Sequence, residues 1–353
     1  MSSPIGIPET LDQVLSPEWL TEALAPRYPD IRVSAATLGP VVERVSTNAR
    51  FRITCEDGLP EGLSAELCAK GYFSADGASS RMAGIAEALF YRDLAVGSGV
   101  RTLPSVFAEI NDEATNAIVI TEDVASDGAV FLDSLAPYSA EQAAESLRQF
   151  GTLHGRSWEA PGIAEVPWLE PRLAHVLRAR GITEIRGNFD GPIGAGVPDE
   201  ARDGEKLIAA FSALPGIAEA NGSWCLLHGD AHVGNIYLDP EGAPSLVDWQ
   251  LVQRGPWYID VGYHLGCTLP VEERRRSEGD LLEAYLDELA AQGIERPSEE
   301  EIRLGLCCGM VYGFFLWAIT LKVDPSITTA MLERLGAAVT DHEALDVVLS
   351  STR

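Results

Sequence analysis

Residues 227–235, LHGDAHVGN, bring together His228, Asp230, His232 and Asn235, four side chains able to hold a proton, a hydrogen bond or a metal ion. Two short apolar runs follow, 236–238 and 245–247, separated by the turn Asp239-Pro240-Glu241-Gly242 and closed by Asp248-Trp249-Gln250. Runs of this length around such a turn read as a hairpin. Asp230 and Asn235 then lie at its start and Asp248 at its end, so the three gather at one end. An amide oxygen and a carboxylate are hard donors that can share Mg²⁺, a cation that takes few protein ligands and completes its shell with water and phosphate oxygens. Asp230, five residues before Asn235, is left to accept a hydroxyl proton. A positioned nucleophile, a base and metal ions on phosphates are the parts that phosphoryl transfer uses. The alternate spacing of His228, Asp230 and His232 also suits a hydrolase metal cluster. The remaining histidines (His154, His175, His264 and His342) are isolated, so no second cluster completes such a site.

The chain that must position these groups has 353 residues, enough for two domains or two lobes. It is 46% hydrophobic and 22% charged, which is the composition of a folded, soluble chain. Its formal net charge of −27 repels phosphate backbones and anionic lipid, which excludes duplex binding and argues against a membrane-surface role. Six cysteines (Cys55, Cys68, Cys225, Cys267, Cys307 and Cys308) show no C-x-x-C spacing, so they read as reduced thiols of a cytoplasmic protein. No signal peptide is visible at the N-terminus. Residues 304–321 run for 18 positions without a charge, which reaches the length of a membrane span. The three glycines in that run and its mixed-polarity surroundings favour a buried core helix. No membrane association is expected, and nothing in the sequence fixes the oligomeric state.

Ser16, Pro17 and Glu18 read as the N-cap, first turn and dipole-complementing acid of a helix that ends before Pro26. Residues 35–123 alternate as five short strands with one helix inserted near 81–96, and Asn111-Asp112 turns the last hairpin. Beyond Val124 the pattern is helical over 140–154, 169–180, 201–214, 279–292, 299–322 and 327–350, interrupted by the β-rich 236–250. The expected fold class is therefore α+β in two lobes. A helical segment over 1–34 precedes an N-terminal lobe over 35–123, an antiparallel five-stranded sheet with one helix. A larger, mostly helical C-terminal lobe follows over 124–353. A cleft between two lobes is the default place for a site.

The form H-G-D-x-H-x-x-N followed by D-W-Q resembles the aminoglycoside phosphotransferase and choline kinase families, whose arrangement is that of protein kinases. The D-W-Q ending is most similar to the ecdysteroid-kinase-like branch. The resemblance covers 227–264 well and 64–124 more loosely. It implies a protein-kinase-like fold and an ATP- and Mg²⁺-dependent transfer of the γ-phosphoryl group to a hydroxyl of a small molecule. By position, Asp230 would be the catalytic base and Asn235 and Asp248 the metal ligands. His228 would brace the loop, His232 would sit beside the acceptor, and Asp260 would hydrogen-bond the catalytic loop. Lys70, in SAELCAKGY, would bind phosphate, Glu87 would be its ion-pair partner, and Cys68 would line the adenine pocket. Backbone groups of Glu122 and Val124 would pair with adenine. The turn at 44–50 departs from the family in having no glycine; Ser46, Thr47 and Asn48 would offer hydroxyls and backbone N–H groups to phosphate in its place. Tyr312, Phe314, Phe315 and Trp317 read as core, with Trp317 also a candidate for the acceptor pocket. The glycine-free turn leaves open a second reading, a catalytically weak nucleotide-binding regulatory module. The acceptor reads as a hydroxylated, partly apolar metabolite or an antibiotic.

Overall fold

The computed structural model describes residues 5–351 except 75–76, 78–80, 174–180 and 222. The helix expected over 169–180 falls largely outside the described residues. The chain forms two units, each with its own core. The first takes the described residues up to Gly97 together with Thr102–Val130 and Val247–Gln250; the second takes Ser98–Arg101, Phe131–Leu246 and the chain from Leu251 onward. The N-terminal helical segment lies in the first unit.

In the first unit, α1 (Pro17–Leu24) starts as its sequence dictates: Ser16 Oγ accepts the Trp19 N–H, and Pro17 occupies the first turn, where no intrahelical donor is needed. Five antiparallel strands follow: β1 (Val33–Glu43), β2 (Thr47–Cys55), β3 (Glu66–Gly71), β4 (Ser105–Ile110) and β5 (Ala117–Glu122), in the order β1-β2-β3-β5-β4. The alternation of β2 and β3 buries Phe51, Ile53, Leu67 and Ala69, which pack with Leu20 and Leu24 of α1 and Ile118 and Ile120 of β5. Between β3 and β4 runs α2 (Ala83–Leu89), continued by a wider turn over Phe90–Leu94. Phe90 there stacks on Trp249 with ring centroids 3.7 Å apart, which anchors the stretch Val247–Gln250 in this unit.

The second unit is mostly helical: α3 (Ala140–Ser157), α4 (Gly204–Asn221), α5 (Tyr258–Cys267), α6 (Val271–Ala291), α7 (Glu299–Ala318), α8 (Pro325–Asp341) and α9 (Ala344–Ser350). The helix expected over 327–350 is two, because Glu343 adopts a left-handed φ of 49° that ends α8 and restarts the chain as α9. Two short ladders complete the unit. β7 (Ile236–Leu238) pairs with β8 (Pro244–Leu246), Ile236 opposite Leu246, as the apolar runs around the D-P-E-G turn predict. β6 (Cys225–Leu227) pairs with β9 (Gln253–Gly255). The α+β class, the five-stranded antiparallel sheet and the helical C-terminal part agree with the expectation from sequence.

Among the described residues α7 alone is long and apolar enough to cross a membrane, and most of it is buried inside the second unit. Its three glycines explain how. Gly305, Gly309 and Gly313 form an i, i+4, i+8 stripe against α5, where a Cβ on Gly309 would stand 2.1 Å from the Tyr258 carbonyl oxygen and one on Gly313 2.3 Å from the Tyr263 ring. Small residues here let two helix backbones approach, and that approach seats α5 and its polar side chains. Gly309→Ala tests it. Helix propensity alone favours alanine by about 1 kcal/mol. The clash is with backbone that cannot swing aside, so a net loss of about 1–3 kcal/mol is expected, read as a lower urea midpoint at unchanged m-value.

Candidate active site

In the first unit β3 places Cys68 and Lys70 on one face, with Leu67 and Ala69 turned to the core on the other. Lys70 Nζ lies 2.7 Å from Glu87 Oε2 of α2 and 2.9 Å from Asp248 Oδ1. Burial alone would push the Lys70 ammonium down, but the two carboxylates outweigh it and hold it above its ordinary value. The same burial pushes the Glu87 carboxyl up, against the pull of Lys70. A partly buried amine clamped by two acids stays charged and fixed. Asp248 takes a left-handed φ of 65°, a conformation aspartate tolerates better than most residues.

The other residues named for the nucleotide from sequence lie in the same unit. Asn48 of β2 stands directly across from Lys70 in the ladder, hence on its face. Thr47, its neighbour, is turned inward with 2% of its surface exposed, and Ser46 lies in the turn, its carbonyl accepting the Arg44 N–H. Burial, then Asp123, raises the Cys68 thiol to about 11, so it is an inert apolar lining atom rather than a nucleophile. All six cysteines are free thiols. Glu122 ends β5 and spends its N–H on the Pro104 carbonyl; Val124 opens the short 3-10 turn Val124–Asp127.

In the second unit Asp230 sits in the loop between β6 and β7, its side chain 15% exposed. Burial would raise its carboxyl, but His232 and His228 beside it outweigh that and hold it below the usual carboxylate range. Such a group is ionised at neutral pH and able to accept a hydrogen bond. Asn235 folds back so that its Nδ2 donates one of its two hydrogens to the Asp230 carbonyl at 2.8 Å, and its amide oxygen is an acceptor. His228 accepts the Asp230 N–H on Nδ1 at 3.2 Å.

The loop is held by one helix face. Asp260, Tyr263 and His264 stand at i, i+3 and i+4 on α5, so they share a side. The Asp260 carboxylate, wholly buried, accepts the N–H groups of His228 at 2.7 Å and Gly229 at 2.8 Å. It also meets His154 Nε2 at 3.3 Å, whose Nδ1 reaches Tyr285 Oη at 3.0 Å. The Tyr263 hydroxyl lies 3.2 Å from Asp230 Oδ1, and His264 Nδ1 lies 2.7 Å from the Ala231 carbonyl. From α7, Tyr312 donates to the Gly229 carbonyl at 2.7 Å. Gly229 itself has φ 82°, and a Cβ there would stand 2.2 Å from the Leu251 carbonyl oxygen, so no other residue fits. Trp317 is 5% exposed, its Nε1 2.7 Å from the Tyr263 hydroxyl and its ring edge-on to His232 at 5.3 Å.

Sequence reading reached His228, Asp230, His232, Asn235 and Asp260 here, but not Tyr263, His264 or Tyr312. The spacing from Asp260 along α5 was the available signal for the first two; Tyr312 lies in an aromatic run that reads as core and gives no sign of a polar task.

His264 carries a pH prediction. Burial lowers its imidazole from 6.5 to about 4. It is neutral in the fold with Nδ1–H donated to Ala231, so Nε2 must accept the Ser146 hydroxyl 2.7 Å away. Between those two values the unfolded chain binds the extra proton, so stability is complete above about pH 6.5 and is lost as pH falls toward 4. The loss expected from this group is about 3 kcal/mol. Denaturant titrations from pH 7 to 4 should show that slope in the native protein and a shallower one in His264→Gln.

The second unit thus presents Asp230 and Asn235 on a loop braced by a buried aspartate of the following helix, and the first holds a lysine paired with Glu87 and Asp248. The family model of the phosphotransferase enzyme family APH matches residues 143–299, a stretch that includes Asp230, Asn235, Asp248 and Asp260. The resemblance to the phosphotransferase enzyme family thus holds over that stretch. No curated protein matches the chain. Solved structures similar to it include choline kinase LicA from Streptococcus pneumoniae, 14% identical, covering 94% of this chain and 98% of that one with a TM-score of 0.47. A choline/ethanolamine kinase family protein from Mesorhizobium loti is also 14% identical, covering 88% and 92%, TM-score 0.48. The AMP-bound spectinomycin phosphotransferase APH(9)-Ia is 10% identical, covering 98% and 100%, TM-score 0.49.

Proposed function

We propose that this protein is an ATP- and Mg²⁺-dependent kinase that phosphorylates a hydroxyl of a small molecule. The observation that carries the reading is the clamp of a partly buried Lys70 by Glu87 and Asp248, in a chain that also presents an ionised Asp230 fixed at the head of its loop. Lys70 binds the donor's phosphates, with Ser46, Asn48 and the backbone of the glycine-free turn beside it, and Cys68 lines the adenine pocket. Backbone groups of Glu122 and Val124 pair with adenine. Asp230 orients the acceptor hydroxyl and takes its proton as the oxygen attacks the γ-phosphorus in line. The donor set fits a hard cation, an amide oxygen of Asn235 and a carboxylate of Asp248; Mg²⁺ held there would neutralise charge on the phosphates. Six free thiols support a cytoplasmic setting. The acceptor is a hydroxylated, partly apolar metabolite or antibiotic, and His232 lies beside it.

Thermal unfolding with and without Mg-ATP tests the nucleotide half of this reading. At 100 times its Kd a ligand of the native state stabilises by about 2.7 kcal/mol, a Tm rise of several degrees. The native protein should show that rise only with Mg²⁺ present, and Asp248→Asn should lose it. The glycine-free turn favours a second reading, nucleotide binding without turnover; a normal Tm rise with no phosphate transferred to any acceptor would support it.

A further inference from the structure

The contacts around Asp230 determine which of its two carboxylate oxygens is spent. An indole N–H can only donate, and Trp317 Nε1 stands 2.7 Å from the Tyr263 hydroxyl oxygen. Tyr263 therefore accepts from Trp317 and turns its own proton to its other polar neighbour, Asp230 Oδ1, at 3.2 Å. His232 approaches the same oxygen. The Gly234 N–H donates to its Nδ1 at 3.1 Å, and its Nε2 lies 3.6 Å from Oδ1. The hydrogen bond from Tyr263 and the approach of His232 both fall on Oδ1, with the Asn235 amide also beside the carboxylate.

We propose that Tyr263, set in place by Trp317, is a positioning residue for phosphoryl transfer: it pins Asp230 through Oδ1 and so presents Oδ2 to the acceptor hydroxyl. This rests on the reading of Asp230 as the base. In the step, the acceptor O–H proton passes to Oδ2 while its oxygen forms the bond to the γ-phosphorus. The bond from that phosphorus to the β,γ-bridging oxygen breaks, and its electron pair leaves with ADP. A carboxylate already held at one oxygen has lost its freedom to rotate before the acceptor arrives, which is where well-oriented groups gain rate. Trp317 and Tyr263 are 5% and 1% exposed. Trp317 then acts on the reaction through Tyr263 rather than by touching the reacting atoms.

Tyr263→Phe removes the hydroxyl and keeps the ring. Its kcat should fall roughly tenfold, the worth of one hydrogen bond to a charged group, while KM for ATP and for the acceptor stays within about twofold. Trp317→Phe should lower kcat less, and the double variant should be no slower than Tyr263→Phe, because the indole works only through that hydroxyl. A loss carried by KM, or losses that multiply, would overturn the proposal. Crystal structures give a readout independent of turnover. The native protein should show one Asp230 rotamer with Oδ1 on Tyr263, and Tyr263→Phe should show it rotated or split. An unmoved carboxylate in that variant sinks the positioning role. Absence of transfer in the native protein would instead overturn the kinase reading, with the crystallographic comparison still deciding the role of Tyr263.

Discussion

Asp230→Asn is expected to lower kcat by about 10²–10⁴, the usual contribution of a positioned general base, with the fold and Mg-ATP binding retained. Asparagine keeps the shape of the side chain and its acceptor oxygen toward Tyr263, so the loop should stay in place. What disappears is the negative oxygen that takes the hydroxyl proton. On the proposed reading the effect belongs to kcat, because Asp230 would meet the reacting atom rather than the nucleotide. Steady-state kinetics on any acceptor that is turned over, with circular dichroism as the control for folding, checks it. A variant within threefold of the native rate would remove Asp230 from the chemistry.

The second large effect is structural. Asp260 is wholly buried, and its carboxylate takes the backbone N–H groups of both His228 and Gly229 with His154 beside it. Asp260→Ala leaves those donors without a partner in a place water does not reach. At about 1–3 kcal/mol for each stranded donor, the expected loss is about 2–6 kcal/mol, large against a typical stability of 5–15. Asp260→Asn keeps one acceptor oxygen and should recover part of it. Chemical denaturation gives the stability, and activity should fall more than unfolding alone explains, since the anchored N–H groups belong to the two residues before Asp230.

The part of this protein most legible in its sequence was the part most constrained by chemistry. H-G-D-x-H-x-x-N needs its residue types at fixed spacing, so Asp230 and Asn235 could be named from sequence, and so could the hairpin after them, where turn residues separate two apolar runs. The five strands were readable because β2 and β3 alternate cleanly over one buried face. Lys70 was named through the resemblance of its strand to the kinase family, and the alternation puts it on the face opposite Leu67 and Ala69. What escaped depends on where helices cross. The glycine stripe of α7 reads as flexibility or as a membrane motif until α5 is laid against it, and only then does it become the reason Tyr258 and Tyr263 sit where they do. Tyr312 and Trp317 look like core because their rings are core; each spends a single polar atom on the catalytic loop or on its neighbour Tyr263. The break at Glu343 left no mark either, since nothing in the type of that residue calls for a positive φ.

The central claim is transfer of phosphate from ATP to a small-molecule hydroxyl. It is tested most directly by incubating the protein with Mg²⁺, γ-³²P-labelled ATP and a panel of hydroxylated metabolites and antibiotics, then separating the products. Label should move from ATP to a small organic molecule, with ADP formed in equal amount, and should stay on ATP when Asp230→Asn replaces the native protein. Label that remains on ATP throughout, or appears only as inorganic phosphate at a rate Asp230→Asn does not change, would contradict the assignment.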